Sequence, residues 1–290
     1  MSEPFQPAAF RAIREAPRFR EAVEMLARGN GRQYAGLTDA QRWMIKDLYL
    51  ASLTVAALIL DSLDEGVTPA RLTEAALTNR TCSAGQTRNF IERAQAYGLL
   101  SIPAGEEAWT RRRMALHPAL TEPLREMTRL TLLAATMVSP EIEVVSGALE
   151  QPGGFRNFYA WSGMLTASRP DLFAGPDLPI LLFLGRDGGK RILDDLMCSQ
   201  PAVRTRLLDA APLSRTALAR RFGVSRTQVA RLLADAETRG LLACDGATVR
   251  FSNLFSEDVE RHYALVFELT RGAAMAAFGV LAPPAEARSS

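Results

Sequence analysis

The stretch Ser214–Phe251 constrains this chain more than any other, because the start and stop signals of two short helices and a hairpin follow one another almost without a spare residue. Leu213 is placed as a hydrophobic staple, Ser214 as a helix cap, and Gly223 as the left-handed residue that ends a first helix. Ser225 followed three residues later by Gln228 is a capping box, so a second helix begins at once and runs through Arg226 to Gly240. On that helix Val229, Leu232, Leu233 and Ala236 form one apolar stripe, which leaves Arg226, Thr227, Gln228 and Arg231 facing away from it. Leu241–Cys244, the turn pair Asp245 and Gly246, and Ala247–Phe251 then predict a tight hairpin with Arg250 on its returning strand.

The same order of signals recurs upstream. Laying Gly98, Leu99 and Leu100 over Gly240, Leu241 and Leu242, an offset of 240 − 98 = 142, also places Ala75 on Ala217, Ser83 on Ser225, Gln86 on Gln228 and Ala94 on Ala236. Phe90 and Ile91 fall on Leu232 and Leu233. Cap, core stripe and helix-to-strand glycine keep one register, which favours a duplicated unit over chance. The first hairpin is read as longer, with its tip at Pro103–Glu107 and Trp109–Leu116 as the returning strand, where Arg111 and Arg113 share a face opposed to Arg112.

With two such units the chain resembles the MarR-like regulators, bacterial winged helix-turn-helix transcription factors that normally bind DNA as homodimers. The resemblance covers roughly Thr38–Met137 and Gly185–Phe278 and rests on element order and the helix-turn-helix pattern. It departs from the family in carrying two modules in one chain. It implies a mainly α fold with small β-hairpin wings, a tandem winged helix-turn-helix on a helical scaffold, pseudo-two-fold. A monomer acting as an intramolecular pseudo-dimer, its reading helices one duplex turn of about 34 Å apart, would then cover a pseudo-palindromic site of double-stranded DNA.

By residue-wise analogy Arg226, Thr227 and Arg231 approach base edges and Gln228 a phosphate, while Arg220 and Arg221 anchor phosphates. Arg250 joins them from the second wing. In the first copy the reading positions are Ala84, Gly85 and Asn89, with Gln86 toward a phosphate, Arg88 and Arg93 nearby, and Arg111, Arg112 and Arg113 entering a minor groove. The competing explanation for each is a solvated helix or strand face. A winged-helix protein-interaction module is the alternative function, since the first copy is poor in residues that read bases.

The organisation expected is residues 1–139 as N-terminal helices plus the first module, 140–184 as a segmented helical connector, 185–280 as the second module with its flanking helices, and 281–290 as a frayed tail. Pro7–Gly29 reads as one or two helices interrupted by Pro17, Asn30–Gly36 as a loop, and Thr38 as the cap of one long helix to about Leu63. Apolar helices follow each wing, at Glu122–Val138 and Glu257–Phe278. Pro152, Gly153, Gly154, Pro170, Gly175, Pro176 and Pro179 segment the connector.

Composition separates the function classes only weakly. The chain has 290 residues, 48% of them hydrophobic, and a formal net charge of +2, so a case for nucleic acid must rest on local charge. Between Arg204 and Arg239, eight arginines face three acids, a local balance of 8 − 3 = +5. The start MSEPFQPAAF lacks a basic region followed by an apolar one, and the apolar run Leu48–Leu60 is too short for a membrane span. With Cys82, Cys198 and Cys244 forming no CxxC pair, the expectation is a cytoplasmic, reducing location.

No enzyme signature stands out, and no cofactor or metal is expected. His117 and His262 lie far apart, and the cysteines lack metal-ligand spacing. GRDGGKR at Gly185–Arg191 fails as a phosphate-binding loop, being one residue short between Gly185 and Gly189 and lacking Ser or Thr after Lys190. Gly188 and Gly189 read instead as a close approach. Cys82 is a small buried turn residue, and Phe155, Phe158, Tyr159 and Trp161 are core aromatics rather than an effector pocket.

Overall fold

The computed structural model describes residues 7–168, 178–201 and 206–278. Arg204, Pro170, Gly175, Pro176, the first six residues and the tail 281–290, on which expectations were placed, lie outside the described residues. Among the described residues the chain is mainly helical with two small antiparallel sheets. It opens with α1 (Pro7–Glu15), α2 (Phe19–Gly36), α3 (Asp39–Met44), α4 (Leu48–Ser62), α5 (Pro69–Thr78) and α6 (Ala84–Ala96). Strands β1 (Leu100–Ser101) and β2 (Ala115–Leu116) lead to α7 (Pro118–Thr136), a 3-10 stretch at Pro140–Glu150, α8 (Gly154–Ser168) and α9 (Leu181–Leu184). Then come α10 (Gly189–Cys198), β3 (Ala210–Pro212), α11 (Arg215–Phe222), α12 (Arg226–Thr238), β4 (Leu242–Asp245), β5 (Thr248–Phe251) and α13 (Asn253–Ala277).

Three parts of the first half of the chain differ from the sequence expectation. Residues 30–36 are not a loop but the last turns of α2. Arg42 on α3 donates to the carbonyls of Tyr34 at 3.4 Å and Ala35 at 3.0 Å, which occupies acceptors that a helix end leaves open. The Tyr34 ring also lies 3.8 Å from the guanidinium of Arg191, and these contacts offset the cost of helical glycine. Thr38 makes its capping box with Gln41, yet the expected long helix breaks after Met44. Asp47 accepts from the amide of Leu50 at 3.0 Å and starts α4 afresh. The third change concerns the first returning strand. Trp109–Arg111 is a 3-10 turn, and only Ala115 and Leu116 pair with the outgoing strand, so the alternating face assigned to Arg111, Arg112 and Arg113 does not form.

The described chain forms two compact units whose segments interleave along the sequence. The first takes the described residues up to Phe19, then 53–168 and 264–278, around buried Leu72, Phe90, Ile91, Leu99, Leu120 and Leu132. The second takes 20–52 and the described residues from 178 to 263, around Phe183, Leu193, Val229, Leu233, Val249 and Phe255. The expected connector is divided between them.

In the second unit, α10 packs against α11 and α9 against α12, and the first part of α13 packs on α9. Phe183 and Phe255 stack at 5.3 Å, and the buried Asp258 accepts from the amide of Ile180 at 2.8 Å. Asp194 accepts from Tyr263 at 2.5 Å and from Lys190 at 2.6 Å, so this buried carboxylate is fully paired. The close approach expected at Gly188 and Gly189 is present. Gly188 has φ of +74°, and a Cβ on Gly189 would lie 2.0 Å from the carbonyl oxygen of Phe183. Gly189→Ala should therefore cost about 1–3 kcal/mol or more of stability, the range for overpacking that backbone must absorb, as read from denaturant midpoints against wild type.

Candidate nucleic-acid interface

The second unit builds an exposed polar face on α11 and α12 from their caps outward. Ser214 accepts from the amide of Ala217 at 3.3 Å to start α11, and Gly223, with φ of +67°, ends it. Ser225 and Gln228 exchange the two bonds of the capping box, 3.1 and 2.7 Å, at the head of α12. Val229, Leu232, Leu233 and Ala236 are buried, which fixes the rotation of α12 and leaves Arg226, Thr227, Gln228 and Arg231 exposed. Among the described residues, the side chains of Arg220, Arg226, Arg231 and Arg250 make no hydrogen bond or ion pair. Arg221 is different, because it pairs with Asp195 on α10.

The hairpin forms one residue out of the expected phase. Asp245 pairs with Thr248, so the two turn residues are Gly246 and Ala247, with Gly246 at φ +57°. A glycine in first position supplies the positive φ of a two-residue hairpin. A third strand, β3, pairs on the far side of β5 in the order β3-β5-β4. Its Ala-Ala-Pro sequence has none of the β-branched or aromatic residues that signal a strand, and the pairing partner alone defines it. Arg250 lies exposed on the central strand opposite Ala210 and Ala243, while Val249 and Phe251 face the core. Glu237 on α12 accepts from the amide of Cys244 at 3.0 Å, which ties the hairpin to the helix.

The first unit repeats this construction bond for bond across α6. Thr87 donates to Ser83 as Val229 does to Ser225, Leu99 to Ala94 as Leu241 to Ala236, and Gly98 to Gln95 as Gly240 to Glu237, all at the offset of 142. Gly98 and Gly240 share φ of +67°. The register shifts by one residue before α6. Thr81 donates to Ala76 where Val224 donates to Ala219, and 219 − 76 = 143, so Ala76 rather than Leu77 occupies the turn-closing position and Glu74 rather than Ala75 matches Ala217. Arg80, at φ +52°, stands in the left-handed position that Gly223 fills downstream. At the other end His117 donates to Leu99 as Ser252 does to Leu241, an offset of 252 − 117 = 135, which makes the first hairpin seven residues longer.

The two faces differ in how their cations are held. In the first unit Arg88 is paired with Glu92 at 2.8 Å, and Arg93 donates to Tyr97 at 3.0 Å with its guanidinium 5.4 Å from that ring. Arg112 folds back onto the carbonyls of Glu107 and Gly105, and Arg113 covers Gly66, where a Cβ would lie 2.3 Å from its Nε. Arg111 is exposed, as are Ala84, Gly85, Gln86 and Asn89. In both units the glutamine Oε1 accepts within the capping box, which leaves the amide Nε2 of Gln86 and Gln228 as the donor toward a ligand. Sequence reasoning missed Asp195 and Glu237 as supports of the second face. Asp195 reaches Arg221 across 26 residues, which no local pattern marks.

The remaining candidates have local structural roles. His117 caps α7 by accepting from Ala119 at 3.2 Å, and burial with Lys190 nearby holds His262 down to about 4. Burial pushes the Cys198 thiol up to about 11, which removes thiolate at neutral pH, and Cys82 is buried in the turn before α6. Phe155, Phe158 and Tyr159 are core, the last sharing a 3.0 Å hydrogen bond with Thr128. No group of three or more metal-ligating side chains occurs among the described residues, and no helix there is long and apolar enough to cross a membrane.

No family model, curated protein or solved structure matches the chain.

Proposed function

We propose that this chain is a sequence-specific double-stranded DNA-binding transcription regulator of the MarR-like winged helix-turn-helix type, with two modules in one cytoplasmic chain and no catalytic role. The single observation that carries the reading is the set of guanidinium groups at Arg220, Arg226, Arg231 and Arg250 that make no hydrogen bond or ion pair among the described residues, spread over a capped helix, its partner helix and the adjoining hairpin. An exposed arginine that meets no acid retains its charge and all five donors for phosphate or base edges. The helix α12 presents Arg226, Thr227 and Arg231 to the major groove, and β5 presents Arg250 to the backbone or minor groove. The bond-for-bond recurrence around α6 supports a second, weaker module.

A protein-interaction role is favoured by one observation only, the engagement of Arg88, Arg93 and Arg112 by Glu92, Tyr97 and backbone carbonyls in the first unit. Duplex titrations at several salt concentrations separate the two readings. DNA binding gives an affinity that falls by roughly 0.9 log units per phosphate contact for each tenfold rise in salt, whereas an apolar protein interface responds little. Failure of the full chain to bind any duplex in a selected pool at low salt would overturn the DNA reading.

A further inference from the structure

The loop 185–191 failed as a nucleotide-binding motif, yet in the second unit it stands beside the reading helix. Arg186, Asp187 and Ile192 line one side of a cleft of about 120 Å³, and Val224, Gln228, Val229, Arg231 and Leu232 line the other. Two of these residues, Gln228 and Arg231, belong to the proposed DNA face. The loop is held in place rather than loosely tethered. Gly188 donates to the carbonyl of Lys46 at 3.3 Å, a Cβ on it would lie 2.9 Å from Val224, and Gly189 packs against the Phe183 carbonyl.

Charge around the cleft is unbalanced. Of the charged residues that line it, Arg186 and Arg231 face Asp187 alone, a local balance of 2 − 1 = +1. Asp187 is already shared between Lys46 at 4.0 Å and Arg191 at 3.5 Å. Arg186 holds Asp235 at 2.8 Å through an exposed pair, 53% and 45% accessible, that solvent screens and an oxyanion can displace. The buried Nε of Arg191 makes no hydrogen bond among the described residues, while its Nη2 keeps only the longer ion pair with Asp187.

We propose that this cleft seats a backbone phosphate of the bound duplex, with Arg186 turning from Asp235 to the phosphate while Arg231 and the Gln228 amide approach it from the helix. The inference rests on the DNA-binding reading and adds Arg186 as a phosphate contact, with Asp235 as its internal competitor. Because a phosphate carries no sequence information, this contact fixes register without altering base preference.

The test compares wild type, Arg186→Ala and Asp235→Asn on a selected duplex and on a random one across a salt series. Arg186→Ala should weaken both duplexes by the same factor, about fivefold to tenfold, and make the salt slope shallower by about 0.9, the share of one contact. Asp235→Asn frees Arg186 and should tighten both, and circular dichroism should show both variants folded. Wild type that binds neither duplex would overturn the DNA reading itself. Wild type that binds while Arg186→Ala matches it in affinity and slope would overturn this inference alone. A parallel titration with inorganic phosphate covers the other source of the anion. Phosphate binding lost in Arg186→Ala with duplex affinity unchanged would assign the cleft to a free anion and contradict the proposal.

Discussion

Arg226→Ala and Arg231→Ala should each lower affinity for the selected duplex by about 1–3 kcal/mol, the range of a bidentate base contact, and relax preference at one base pair. Neither change should harm the fold. Both side chains are exposed and make no hydrogen bond or ion pair among the described residues, while the stripe of Val229, Leu232 and Leu233 that holds α12 is untouched. Arg226 is the first residue of α12, where the helix dipole disfavours a cation, so its loss should leave stability equal or slightly higher. Arg220→Ala serves as the contrast, because a phosphate anchor weakens every sequence alike. Titration at fixed salt decides the matter. Recognition-helix variants that bind the selected site as wild type does would remove α12 from the interface.

The parts of the fold legible in the sequence were those fixed by neighbours a few residues away. Ser225 with Gln228, and Ser83 with Gln86, marked the starts of α12 and α6 to within a residue, because a capping box is closed entirely by local bonds. The stripe at Val229, Leu232, Leu233 and Ala236 fixed which residues of α12 face outward for a similar reason, the period of the helix itself. Elements defined by distant partners were not legible. Residues 30–36 read as a loop from their glycines, yet the Arg42 donors and the Arg191 contact keep them helical. β3 exists only as a partner of β5, and Trp109–Arg111 turns where alternation suggested a strand. At the site, residue type located the arginines but not their counter-charges. The pair Arg88 and Glu92 stands at helical spacing and was within reach of the sequence, whereas Asp195 beside Arg221 and Asp235 beside Arg186 required the fold.

The repeat leads to the second large effect, on the symmetry of the bound site. A homodimer imposes two-fold symmetry on its protein, whereas two modules within one chain are free to differ. They do differ here. Arg226, Thr227 and Arg231 in α12 correspond to Ala84, Gly85 and Asn89 in α6, and the arginines near α6 are largely engaged by Glu92, Tyr97 and backbone carbonyls. One chain should therefore cover one operator, with a strongly specified half-site under α12 and a weakly specified half-site under α6. Replacing Asn89 by Ala should change selected sequences far less than replacing Arg231, since a lone amide has one bidentate partner to offer and its neighbours Ala84 and Gly85 have none.

The most direct measurement of this account is selection of duplex sites by the full chain, with sedimentation of the protein on the recovered site. A one-to-one complex on a short duplex is expected, with an asymmetric inverted repeat whose sharper half loses its preference in Arg231→Ala. Two chains on one short operator with a perfectly symmetric selected sequence would contradict it.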